Sequence, residues 1–172
     1  AMLWHETSAC IDAVGEVPFT RWDAVSDNDV SVTKRVGYGA YITSADFFDN
    51  RAFGISAAEG TAMDPQHRMF MQVSWEALEH AGYAPRSGTP ARTAVYAAAG
   101  IDGYMIHHLD GAPLKDPLSP GEIFLGEVGS EKDYIATRVS YALDLMGPSL
   151  QVNSACSSAL SAVRWYTSRW PS

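Results

Sequence analysis

Two cysteines and five histidines are the residues of this 172-residue chain that invite a nucleophilic or acid–base reading. Cys156 stands in "VNSACSSAL", residues 152–160, where the short apolar stretch "SLQV" gives way to the helix-like "SSALSAVRWY". A thiol at the start of a helix feels unpaired backbone N–H groups and the positive end of the helix dipole, both of which favour thiolate. A strand-to-helix turn also lifts a side chain off the sheet edge, as nucleophile elbows do. Ala155, Ser157 and Ser158 are small enough to leave room for a substrate. Most free cysteines are small buried hydrophobes, so these local features alone leave packing and reaction both open.

The remaining candidates carry weaker signals. Cys10 lies in a weakly helical stretch over residues 2–13 and reads as structural. It is far in sequence from Cys156, which argues for two reduced thiols and against a disulfide scaffold. His67 falls in the first turn of an expected helix and His80 near its end, positions that suggest surface or capping roles. His5 belongs to no motif. His107 and His108, next to Asp110, hint at a metal, but adjacent side chains diverge on a helix or strand and no further ligand cluster accompanies them. No metal site is expected.

The elements that must position these residues follow from periodicity and turn chemistry. The clearest helix follows "MDPQHR": Asp64 is the N-cap, Pro65 the first helical residue and Gly82 the stop. Phe70, Val73, Ala77 and Ala81 recur at three- and four-residue steps, predicting an apolar face about four turns long. "RTAVYAAAG", residues 92–100, predicts a buried strand. A second helix is predicted over 131–143 with Ile135, Val139 and Ala142 on one face, then a strand in "GPSLQVN" and a helix over 157–168. "GEVPFTRWD" reads as a turn into a surface loop, 34–57 as irregular with short strands, and the Pro-rich "LDGAPLKDPLSPGE" as a surface excursion. Helix, strand, helix, strand, helix favours a layered α/β fold.

Composition narrows the partners. Twelve Lys and Arg against twenty Asp and Glu give a net charge of -8 at pH 7, which disfavours nucleic acid and anionic membrane surfaces. With no stretch near the ~20 apolar residues a span needs and no signal peptide, a cytoplasmic protein is expected. The scattered tryptophans suggest core packing.

The wider pattern around the cysteine is more specific. "DYIATRVSYALDLMGPSLQVNSACSSAL" resembles the segment around the nucleophilic cysteine of β-ketoacyl synthases, especially the ketosynthase domains of polyketide and fatty acid synthases. "EVPFTRWD", "FFDNRAFGISAAEGTAMDPQHRMFMQVSWEALEHAGYAP" and "TAVYAAAG" resemble earlier ketosynthase segments in the right order, so the resemblance covers roughly residues 2–163 and leaves 164–172 as a divergent tail. Asn153 and Ser154 depart from the Asp and Thr common in the family, though both keep small hydrogen-bonding side chains.

The resemblance implies the N-terminal half of a thiolase-type α/β/α/β/α domain, incomplete at its first strand and ending inside the helix after the cysteine. It implies that Cys156 takes an acyl chain from a phosphopantetheine thioester on an acyl carrier protein, that a malonyl extender is decarboxylated, and that the resulting carbanion attacks the acyl-cysteine. Similar enzymes form homodimers and stabilise the enolate with two histidines and a lysine from motifs beyond the cysteine. No His or Lys follows Cys156 here, so condensation by this polypeptide alone is not expected. A non-catalytic dimerisation or carrier-protein interaction module is the alternative. A cysteine hydrolase is disfavoured, because no glycines flank Cys156 in the elbow pattern and no histidine follows it. No bound cofactor is expected.

Overall fold

The computed structural model describes His5, residues 8–18, 38–90, 92–100, 103–104 and 129–169, with side chains as far as Arg164. The chain divides into two compact units, residues 1–44 and 45–172. The expected surface excursion at 109–122, His107, His108 and Asp110 lie outside the described residues.

In the first unit, β1 (Gly15–Glu16) pairs antiparallel with β2 (Tyr38–Gly39), and the Tyr38 hydroxyl donates to Glu16 Oε1 at 3.3 Å. The turn read in "GEVPFTRWD" therefore begins with a strand rung. Within the stretch expected to be weakly helical, 2–13, His5 and Ser8 are helical and Ala9 N donates to His5 O at 2.9 Å. Beyond them Cys10 has φ 52°, and Asp12 Oδ1 accepts from Val14 N at 2.9 Å, a local side-chain bond that competes with the helix.

The second unit carries the site. Its α1 (Ala57–Ala62) was not foreseen, although Ser56 and Glu59 have the spacing of a capping box and the Ser56 hydroxyl accepts from Glu59 N at 3.1 Å. The helix α2 (Pro65–His80) starts as expected, with the Asp64 carboxylate accepting from Gln66 N at 2.6 Å, and ends before Gly82 at φ 83°. Its buried face differs from the expected one. His67, Arg68 and Met71 are buried and Trp75 and Leu78 pack on the core, whereas Val73 is 48% exposed and Ala77 and Ala81 are exposed. The larger side chains of Met71, Trp75 and Leu78 bury more apolar area than a stripe of alanines would, and they set the helix rotation. Of the predicted stripe only Phe70 packs against the core.

Next come β3 (Val95–Ala97), a 3₁₀ turn over Lys132–Tyr134, α3 (Ile135–Leu143) and β4 (Ser149–Gln151). β3 and β4 are parallel, with Val95 opposite Ser149, Tyr96 opposite Leu150 and Ala97 opposite Gln151. Parallel neighbours require a crossover, and α3 lies in it, packed on α2 and on both strands. As expected, Ile135 and Val139 are buried and Ala142 is partly so. The helix ends at Asp144 in the left-handed region, φ 56°, with Leu145 N reaching back to Ser140 O at 2.8 Å.

Val95 and Ala97 face the core with Met63, Met71, Val139 and Leu143. Side chains alternate across a strand, so Tyr96 faces the other way, where α4 (Ser158–Arg169) packs on β3. The unit is thus helix, sheet and helix in layers. Phe53, stacked on Phe48 and edge-on to Trp75 with ring centroids 5.3 and 5.6 Å apart, closes the core beside α2.

Candidate functional site

The site is built at the exit of β4. Val152 N donates to Ala97 O at 2.8 Å, which carries the parallel ladder one residue past the strand. The chain then turns sharply: Ser154 has φ -140° and ψ 41°, and Ala155 has φ 54°. A non-glycine residue in the left-handed region costs roughly 1–2 kcal/mol, so this conformation persists only where neighbours hold it. A 3₁₀ turn over Ala155–Ser157 leads directly into α4 at Ser158. Cys156 is the middle residue of that turn, exposed and with a free thiol. It therefore lies at the strand-to-helix junction as expected, within the 3₁₀ turn ahead of the α-helix.

What holds the turn is a set of short polar side chains. Ser154 N donates to Ser158 Oγ at 2.8 Å, and Ser158 Oγ donates to Ala155 O at 2.7 Å. Ser157 Oγ donates to Ser154 O at 3.0 Å. Ser154 Oγ lies 3.1 Å from Ser157 Oγ and 2.7 Å from Ser161 Oγ. Asn153 Oδ1 accepts from Ala155 N at 3.2 Å, capping the N–H of the left-handed residue. Asn153 and Ser154 thus both bond within the turn that carries Cys156.

Beside the turn, an apolar groove of about 410 Å³ runs between the sheet and α4, lined by Phe70, Tyr96, Ala98, Ala159, Ala162 and Val163. Ala159 follows Cys156 by three residues, so the groove begins within about one helical turn of the thiol along the chain.

Neither described histidine of this unit, His67 or His80, lines the groove. His80 is exposed in the last turn of α2, as expected. His67 is not the surface residue its first-turn position suggested: it is 1% exposed, because that side of α2 faces the core. Its neighbour Arg68 is also buried and has its guanidinium carbon 5.5 Å from the centre of the Tyr104 ring. His5 and Cys10 are exposed in the first unit. Among the described residues no three His, Cys, Asp or Glu side chains cluster as metal ligands, and no helix is long and apolar enough to cross a membrane. Trp75 packs in the core; the other tryptophan side chains lie outside the described ones.

Comparison with known proteins converges on one family. The family described as "Beta-ketoacyl synthase, N-terminal domain" matches residues 1–168. A phenolphthiocerol/phthiocerol polyketide synthase polypeptide of Mycobacterium tuberculosis is 38% identical over 165 residues, which cover 93% of this chain and 9% of that protein. The 6-methylsalicylic acid synthase of Aspergillus terreus is 36% identical over 168 residues, covering 94% of this chain and 9% of that protein. Among solved structures, the oxazolomycin ketosynthase domain of Streptomyces albus JA3453 superposes with a TM-score of 0.75 at 29% identity, over 95% of this chain and 27% of that one. The module 6 ketosynthase of the Bacillus subtilis bacillaene synthase gives 0.72 at 25% identity, over 95% and 25%. The chain thus spans about a tenth of these synthases and about a quarter of the solved ketosynthase chains. The fold is thiolase-like, as its sequence led us to expect, and corresponds to the N-terminal part of that architecture.

Proposed function

Because the chain belongs to the β-ketoacyl synthase N-terminal domain family, we propose that it supplies the acyl-accepting half of a polyketide synthase ketosynthase, with Cys156 as nucleophile. The observation that carries this reading is the exposed thiol on a strained strand-to-helix turn, braced by four serines and an asparagine. The Cys156 sulfur attacks the carbonyl carbon of an acyl thioester, and the bond from that carbon to the carrier sulfur breaks as the carrier thiol leaves with a proton. The carrier is a phosphopantetheine arm on an acyl carrier protein, and the intact domain works as a homodimer.

Decarboxylative condensation asks for more. A malonyl thioester must lose carbon dioxide, and the resulting enolate needs positioned donors before its carbon attacks the acyl-cysteine. Removing even one such donor typically costs about 10²–10³ in rate. Among the described histidines, His67 is buried in the core and His80 stands at the far end of α2 from Asp64. We therefore place condensation in the whole synthase, and acyl capture in this stretch. A second reading, a dimerisation or carrier-docking module without turnover, draws support from exposed Tyr141, Met146, Leu150, Leu160 and Val163.

Incubation with an acyl pantetheine thioester, followed by intact-mass measurement, separates the two. One acyl group is expected on the parent chain and none on Cys156→Ala; addition of malonyl thioester is expected to give no β-ketoacyl product above that variant. Equal acylation of parent and variant would overturn the nucleophile, and product specific to the parent would overturn the division of labour.

A further inference from the structure

The polar turn around Cys156 has one hub. Every polar group of Ser154 is engaged by the residues that follow the cysteine: its N–H by Ser158 Oγ at 2.8 Å, its carbonyl by Ser157 Oγ at 3.0 Å, and its hydroxyl by Ser157 Oγ and Ser161 Oγ at 3.1 and 2.7 Å. The last contact ties the strand exit to the first turn of α4, seven residues away. It spans both Ala155, held at φ 54°, and Cys156 itself.

We propose that Ser154 is a positioning residue for the Cys156 thiol. Its hydroxyl bridge to Ser161 locks the entry of α4 against β4, so that the left-handed Ala155 cannot relax and swing the next side chain away. This rests on the acyl-capture reading of Cys156 and adds to it the residue that sets the direction of attack. The effect passes through Cys156, since Ser154 itself need touch no substrate. A threonine keeps the bridging hydroxyl, whereas alanine keeps only the backbone bonds.

The test is alkylation of the 172-residue chain by iodoacetamide, with Cys10 as an internal reference thiol, in Ser154→Ala, Ser154→Thr and Ser161→Ala. Loss of one hydrogen bond of ordinary net worth is expected to lower the Cys156-to-Cys10 labelling ratio about fivefold in Ser154→Ala. Ser161→Ala, which leaves every backbone bond of Ser154 in place, is expected to move it in the same direction. Ser154→Thr is expected to restore the parent ratio at unchanged far-ultraviolet circular dichroism. An unchanged ratio in both alanine variants, or a threonine variant as slow as alanine, overturns the proposal. Failure of the acyl-capture reading shows separately, as absence of acyl transfer in the parent, and the alkylation comparison still decides the role of Ser154.

Discussion

Gly147→Ala is expected to cost the second unit about 3 kcal/mol or more, a large share of any small domain's stability. Gly147 sits in the tight connection between α3 and β4, where its N–H donates to Thr93 O at 3.1 Å. A Cβ there would collide with the Thr93 carbonyl and lie 2.6 Å from Ala94 N. These obstacles are backbone atoms at the entrance to β3, held by the bond from Val95 N to Pro148 O at 2.8 Å, so no side chain can swing aside. Relief requires the two strands to part, which breaks the parallel pairing that leads to the Cys156 turn. Urea denaturation followed by circular dichroism measures the loss. A variant with the parent midpoint would mean that the strands do not approach this closely.

Glu59→Ala is expected to cost about 3 kcal/mol for a different reason. The Arg138 side chain is only 9% exposed, and its Nη1 donates to Glu59 Oε1 at 2.8 Å, joining α3 to α1 across the face that holds Met63. Removing the carboxylate leaves a largely buried guanidinium without its acidic partner, and a charge so placed is penalised more than the pair is worth. The double variant Glu59→Ala with Arg138→Met discriminates: it removes the stranded charge along with the pair and is expected to recover most of the lost stability in the same denaturation measurement. A Glu59→Ala variant within a few tenths of a kcal/mol of the parent would show that this pair behaves as an exposed one.

Much of this unit was legible in the chain because its signals are local. Asp64, Pro65 and Gly82 mark both ends of α2, and Ile135 and Val139 give the buried face of α3. The cysteine junction was legible for the same reason, since an apolar stretch followed by small residues and a helix can fold only so many ways. What escaped depends on neighbours remote in sequence. The rotation of α2 is decided by what Met71 and Trp75 find across the core, and His67 is buried with them. The pairing of Gly15 with Gly39 joins residues whose local sequence reads as turn. α1 was missed although Ser56 and Glu59 announce it, because a six-residue helix is too short to show a period. The serine bracing of Cys156 was visible only as composition, and its wiring required the turn itself.

The central claim is that Cys156 is the acyl acceptor, and tryptic mapping after exposure to an acyl pantetheine thioester tests it most directly. Cleavage after Arg138 and Arg164 isolates Cys156 in the peptide 139–164, while Cys10 falls in the peptide 1–21. The account predicts a single acyl mass on Cys156, absent when iodoacetamide is added first. Acylation at Cys10 in preference, or none at Cys156 in folded protein, would contradict it.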